Sequence, residues 1–113
     1  MRDLTQELIE LIRRTSTDLP PDVEKALAEA REREASGSAA KGALDTILQN
    51  VELARRESIP ICQDTGTPIF YVKHPAGWRT RKLREQIRAA VAEHADRAHQ
   101  HRAGLLAKIL REV

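Results

Sequence analysis

Apolar residues recur at helical spacing over the first half of the chain. The first set predicts an amphipathic helix over residues 4–14, with Asp3 as its N-cap. Two prolines, Pro20 and Pro21, suit the first turn of a second helix that extends to about residue 35. A third helix is predicted from about residue 39 to residue 57, with apolar positions at Ala43, Leu44, Ile47, Leu48, Val51 and Ala54.

The pattern changes from helical to extended after Ser58. Residues 59–62 are short and apolar, and residues 68–74 are rich in the β-branched and aromatic side chains that favour strands. Residues 63–67 between them, Gln-Asp-Thr-Gly-Thr, are typical of a loop. The sequence therefore predicts a strand–loop–strand element.

A long carboxy-terminal helix is predicted after a turn at residues 75–78. Thr80 can cap this helix, and its apolar face contains Leu83, Ile87, Ala90 and Val91. Helical spacing resumes at residues 105–113 after a polar stretch. The predicted fold class is α+β: an α-rich chain with three helices, a strand–loop–strand element and the long carboxy-terminal helix.

Composition narrows the class of protein. The chain has 113 residues, enough for one small domain or a piece of a larger one, and its three aromatic residues lie within nine positions. The core must therefore be mostly aliphatic, which favours packed helices. The single cysteine excludes an intrachain disulfide framework and a self-contained cysteine metal site. With no apolar run of about 20 residues and no signal-peptide apolar region, a cytoplasmic location without membrane contact is expected.

Charge is distributed unevenly along the chain. The net charge of +2 combines an acidic first half with a basic second half, whose basic residues cluster at positions 79–88. Such a cluster could bind nucleic acid, but a solvated helix face is favoured because Glu85 interrupts it and no aromatic residues are interleaved. The histidines at 94, 99 and 101 could suggest a metal site, but a solvated polar face is again favoured. Lys41, Arg55 and Arg56 are expected to be surface charges.

The segment around Cys62 has the residue types of a functional site. A thiol, an amide, a carboxylate and a hydroxyl follow one another, and Gly66 allows the backbone to approach a ligand closely. Asp-Thr-Gly is equally good turn chemistry, and a lone cysteine is often a small buried hydrophobe. These residue types alone leave both interpretations open.

A family resemblance bears on that choice. The segment Ile61-Cys62-Gln63-Asp64-Thr65-Gly66-Thr67 resembles the first cysteine motif of the class I fumarate hydratases, which are iron–sulfur hydro-lyases related to the tartrate dehydratase α-subunits. Residues 11–20, 39–44, 47–50 and 67–72 also resemble this family, in the same order. The likeness extends from about Leu4 to Glu93. Residues 1–93 are thus expected to be the amino-terminal part of an iron–sulfur hydro-lyase domain, and residues 94–113 a helical tail unlike the family.

The resemblance implies a cofactor and roles for particular residues. In this family three cysteines hold a 4Fe-4S cluster whose fourth iron binds the substrate's hydroxyl and carboxylate. Cys62 would be the first cluster ligand, and Gln63, Asp64 and Thr65 would contact or surround the substrate. The reaction would be the reversible hydration of fumarate to malate, with tartrate as the other candidate substrate. The implied partners are a small dicarboxylate substrate and a second copy of the chain or a completing subunit.

The sequence departs from the family in one important respect. Two further cysteine ligands are expected, and this chain has none. The chain is therefore expected to be a truncated amino-terminal portion that is inactive alone, unless another polypeptide completes the site. The alternative is a small helical interaction or regulatory module without catalysis, which would bind a partner through residues 105–113 or the basic helix.

Overall fold

Four helices account for most of the described structure. The computed structural model describes residues 2–62 and 67–109, with side chains for residues 2–62 and 67–100. Within these ranges the helices are α1 (Thr5–Thr17), α2 (Pro21–Arg33), α3 (Ala39–Glu57) and α4 (Thr80–Ile109). Each corresponds to a helix predicted from the apolar spacing. The chain divides into two compact units, which we call the α2–α3 unit (Thr15–Ile61) and the α1–α4 unit (Met1–Arg14 with Cys62–Val113).

Helices α2 and α3 are antiparallel neighbours within the α2–α3 unit. Ion pairs join them at both ends: Glu24 at the start of α2 pairs with Arg55 at the end of α3 at 2.5 Å, and Arg31 at the end of α2 pairs with Asp45 at the start of α3 at 3.7 Å. The α3 side chains that face the interior include Val51, which is 1% exposed. The carboxy-terminal part of the α3 apolar stripe, Val51 and Ala54, therefore provides the buried side chains of this helix.

Local signals define both ends of α3. At the start, the Oγ atom of Ser38 accepts a hydrogen bond from the backbone N–H of Lys41 at 3.1 Å, as an N-cap residue does. At the end, Ser58 has a left-handed conformation with φ 51° and ψ 44°, and the next N–H, of Ile59, donates to the carbonyl of Ala54 at 3.1 Å. This terminal geometry is usually formed by glycine, because a Cβ atom disfavours positive φ.

A small aliphatic core holds the α1–α4 unit together. Leu8 and Ile9 of α1 are buried in one cluster with Ala90 of α4, and Phe70 is among the residues packed against this cluster. A polar contact accompanies it: the backbone N–H of Leu4 donates to the Oε1 atom of Gln86 on α4 at 3.1 Å. The buried side chains of this cluster are thus aliphatic and include an alanine, as expected, with Phe70 packed against them.

The predicted strand–loop–strand element is wrong, and with it the α+β fold class. Neither residues 59–62 nor residues 67–74 form a strand, and no strand is present elsewhere in the part of the chain that the structure describes. A strand needs a neighbouring strand to bond its backbone, but both backbone groups of Ile61 are bonded by residues of α1 and α3 instead. The Phe70 side chain packs on the helical core, while Ile69 and Tyr71 are 71% and 93% exposed. High β-propensity at residues 68–74 therefore did not produce a strand.

Helix α4 extends beyond the predicted end of the family-like region. It runs without a break from Thr80 to Ile109, so no change of secondary structure marks residue 93. The division into residues 1–93 and 94–113 stays a prediction, and residues 110–113 lie outside the described residues. Among the helices that the structure describes, none is long and apolar enough to cross a membrane.

Candidate functional site around Cys62

Cys62 is the one predicted site residue that the structure describes. It lies four residues beyond the left-handed end of α3, outside any helix, and is exposed. An exposed thiol does not correspond to a small buried hydrophobe, which was the alternative interpretation of a lone cysteine. The other predicted site residues, Gln63, Asp64 and Thr65, lie outside the described residues.

Both backbone polar groups of Ile61, the residue immediately before Cys62, are hydrogen-bonded. The N–H of Ile61 donates to the carbonyl of Ser16 at 2.9 Å, and the carbonyl of Ile61 accepts from the Nδ2 atom of Asn50 at 2.7 Å. Ser16 is in the last turn of α1, where carbonyl groups have no partner within their own helix. We call this pair of hydrogen bonds the Ile61 clamp. It fixes the peptide group that joins Ile61 to Cys62.

Arg55 links three segments of the α2–α3 unit. Its guanidinium contacts Asp18 at 2.8 Å, Glu24 at 2.5 Å and Glu52 at 3.2 Å. The hydrogen bond with Asp18, and then that with Glu24, raise the pKa of Arg55 above its ordinary value. Arg55 remains at the surface, with its side chain 36% exposed, but its charge is shared among three carboxylates. Arg55 thereby ties the turn after α1 to the end of α3.

Sequence reasoning missed both Asn50 and the role of Arg55. The pairing of Arg55 with Glu52 is visible as an i,i+3 spacing on one helix. The contacts with Asp18 and Glu24 span 37 and 31 residues, and that of Asn50 with Ile61 spans 11 residues across a helix end. No local sequence pattern indicates contacts between residues so far apart in the chain. The likeness of residues 47–50 to the family was the one signal that pointed to Asn50.

The donor chemistry fits one ligand position of an iron–sulfur cluster. Thiolate sulfur is the usual ligand of such clusters, and Cys62 is exposed, as a ligand to a shared cluster must be before the site is assembled. Among the described residues there is no group of three or more His, Cys, Asp and Glu side chains that could hold a metal ion. Cys62, the single cysteine of this sequence, thus has the donor chemistry of one such ligand.

The histidines of α4 form no metal group within the described side chains, which include His94 and His99 but not His101. His94 is partly buried, and two cations lie near it, Arg13 on α1 and Arg97 on its own helix. Burial first, and then these two charges, lower the pKa of His94. Such an environment favours the neutral imidazole and disfavours a further cation.

The basic residues at positions 79–88, at and just before the start of α4, are solvated. Arg79, Arg81, Lys82, Arg84 and Arg88 are all exposed, and Arg81 pairs with Glu85 at 3.4 Å. Just before the helix, the Trp78 ring stacks on His74 with ring centres 6.4 Å apart. This arrangement agrees with the solvated helix face expected from the sequence.

Comparison with known proteins identifies the family. The family model described as fumarate hydratase (fumerase) matches residues 5–112. The chain is 41% identical over 93 residues to a protein designated a class I fumarate hydratase from Geobacillus stearothermophilus, a match that covers 82% of this chain and 18% of that protein. It is 39% identical over 70 residues to a protein designated the alpha subunit of L(+)-tartrate dehydratase from Methanocaldococcus jannaschii, which covers 62% of this chain and 24% of that protein.

The resemblance seen in the sequence is thereby confirmed at the level of the family. The matched range includes Ser16 and Asn50, which form the Ile61 clamp, and Cys62, which follows it. The chain spans less than a quarter of the length of either curated relative. Within that limit, this chain belongs to the fumarate hydratase family, together with proteins designated as class I fumarate hydratases and tartrate dehydratase alpha subunits.

Proposed function

We propose that this chain is a segment of an iron–sulfur hydro-lyase and supplies Cys62 as one thiolate ligand of its 4Fe-4S cluster. The observation that carries the proposal is the exposed Cys62 thiol directly after a backbone held by two hydrogen bonds. A ligand to a metal centre needs both access and a defined backbone position. The family membership supplies the chemistry to which this arrangement is suited.

The reaction proposed for the complete enzyme is the reversible addition of water to fumarate, which gives malate. The cluster would supply an open iron that acts as a Lewis acid toward the hydroxyl and carboxylate of the substrate. Gln63, Asp64 and Thr65 follow the ligand directly in the sequence and are proposed to contact the dicarboxylate substrate. The Gln63 amide and the Thr65 hydroxyl can donate hydrogen bonds to a carboxylate, and the Asp64 carboxylate can exchange a proton with water.

The remaining cluster ligands are proposed to come from another part of the enzyme. One cysteine cannot complete a site that needs three, and Cys62 is the only one in this sequence. One relative is designated as an alpha subunit, which supports an enzyme assembled from more than one chain. A cytoplasmic, reducing compartment is proposed because it would keep Cys62 as a thiol before the cluster is assembled.

The test compares cluster binding in two preparations. The 113-residue chain and the holoenzyme that contains it would be reconstituted anaerobically with iron and sulfide, and the cluster would be read by visible absorption. The chain alone should form no stable cluster, because it has one thiolate. In the holoenzyme, Cys62→Ser should abolish both the cluster absorption and fumarate hydration, whereas Ser36→Ala, at an exposed position between α2 and α3, should change neither.

Two results would contradict the proposal. A stable cluster on the 113-residue chain would show that one cysteine is sufficient and that the ligand count is wrong. A Cys62→Ser holoenzyme with its cluster and activity intact would remove Cys62 from the site. The second result would favour the alternative of a helical interaction module, which should be indifferent to this change.

A further inference from the structure

The Ile61 clamp is a specific arrangement at a position where a simple loop would suffice. After α3 ends at Glu57 and the chain turns at Ser58, no side-chain hydrogen bond is required for it to continue toward Cys62. Yet Asn50, an exposed residue within α3, donates to the Ile61 carbonyl at 2.7 Å. The Ile61 N–H is bonded at the same time to Ser16, at 2.9 Å. Both polar groups of one residue are therefore directed by separate helices.

The peptide that Asn50 holds is the one that carries Cys62. The Ile61 carbonyl and the Cys62 N–H belong to the same planar peptide group, so holding the carbonyl fixes the plane from which the Cys62 Cα departs. Ligand geometry in metal sites depends on partners that hold the ligand rather than touch the metal. Asn50 holds Cys62 in this indirect way, because it bonds the peptide group that joins Ile61 to Cys62.

We propose that Asn50 is a positioning residue for Cys62, and that with Ser16 it restricts the backbone from which the thiol projects. The inference rests on the proposed function for what Cys62 binds, but the restriction itself is a property of this chain and can be measured without iron. A donor is required at position 50, because the group it faces is a carbonyl oxygen. Asn50→Asp removes the donor with little change of shape, and Asn50→Leu removes it without adding charge.

Cys62 itself provides the probe. Because it is the only cysteine, a nitroxide reagent specific for thiols labels the otherwise unaltered chain at this one position. The label's electron paramagnetic resonance spectrum reports local backbone mobility. We expect a more mobile label in Asn50→Asp and Asn50→Leu than in the parent chain, measured well below the unfolding temperature. Gln49→Leu is the matched control, because Gln49 is the exposed neighbour of Asn50 on α3 and should leave the spectrum unchanged.

Amide hydrogen exchange supplies a second measurement on the same variants. The Ile61 N–H should exchange about fivefold faster in both Asn50 variants, the change that corresponds to one ordinary hydrogen bond. The amide of Ala54, inside α3 and away from the clamp, should change by less than twofold. Circular dichroism of each variant establishes that the helices remain.

The outcomes separate positioning from general stabilisation. Unchanged label mobility and Ile61 exchange in folded Asn50 variants would overturn the inference, even if their unfolding temperature fell. Equal loosening in Gln49→Leu, or failure of both Asn50 variants to fold, would overturn it as well, because the residue would then serve the fold. Failure of the cluster experiment leaves these measurements untouched, so the proposed function and this inference can fail separately.

Discussion

Val51 is the side chain whose truncation should cost the α2–α3 unit most for its size. It is 1% exposed and lies on α3 toward the interior. Val51→Ala removes two carbon groups, worth about 1.6 kcal/mol in transfer free energy at ~0.8 kcal/mol each. The cavity left behind adds to this, so we expect a loss of about 2–3 kcal/mol in the free energy of unfolding.

Ile47, one turn earlier on the same helix, is the matched control. It is 44% exposed, so Ile47→Ala removes three carbon groups from a site that water already reaches. The expected cost is about 1 kcal/mol, roughly half of the full transfer value. Both changes replace a β-branched residue by alanine in a helix, so the gain in helix propensity is similar and largely cancels in the comparison.

Urea unfolding followed by circular dichroism would measure both free energies. Typical domains are stable by about 5–15 kcal/mol, so the expected loss at Val51 is a large fraction and should be readily resolved. The order of the two variants is the critical result. If Ile47→Ala costs as much as Val51→Ala or more, then the face of α3 assigned to the interior is wrong.

Three further changes test the ends of α3 and the α1–α4 unit. Ser38→Ala removes an N-cap and should lower the free energy of unfolding by about 1 kcal/mol in the same urea assay. Ser58→Gly relieves a positive φ of 51° and should raise the thermal midpoint, whereas Ser58→Ala should not; equal midpoints would speak against the left-handed turn. The lowered pKa of His94, caused by burial and then by Arg13 and Arg97, means that the unfolded chain binds a proton more readily. Stability should therefore fall as pH decreases below about 6.5, and His94→Gln should flatten that part of the profile; an unaltered profile would contradict this assignment.

The helices could be predicted because their signals are local. Apolar spacing along α1 and α3, prolines at the start of α2 and a serine before α3 all act within one or two turns. Each signal lowers the free energy of the helical state regardless of what the rest of the chain does. Predicted and observed bounds differ by at most a few residues, mainly where α1 continues past residue 14 to Thr17.

The absence of the strands could not be predicted from β-propensity alone, because a strand forms only when a second strand bonds its backbone. Residues 68–74 have β-branched and aromatic side chains, but within the described residues they have no neighbouring strand. Phe70 contributes to the aliphatic core of the α1–α4 unit without any ladder of backbone hydrogen bonds. Phe70 thus packs on the core from an irregular conformation, whereas Ile69 and Tyr71 remain exposed.

The candidate site was predicted in part. Cys62 is predicted from the sequence and stays a prediction, while the contacts of Ser16 and Asn50 with Ile61 could not be predicted because these residues are far apart in the chain. Each of the three lies in a different stretch that resembles the fumarate hydratases, namely residues 11–20, 47–50 and 61–67. In the sequence these three stretches that resemble the family are separated from one another.

The structure brings these three stretches to one place. Ser16 and Asn50 bond the two sides of Ile61, so the three family-like stretches meet at the peptide that leads into Cys62. A likeness confined to the cysteine motif could reflect turn chemistry alone, since Asp-Thr-Gly suits many loops. A likeness that also includes the two residues bonding that motif's backbone needs a further reason. The proposed positioning of the Cys62 thiol on a fixed backbone would supply that reason, and replacing Asn50 tests this proposal most directly.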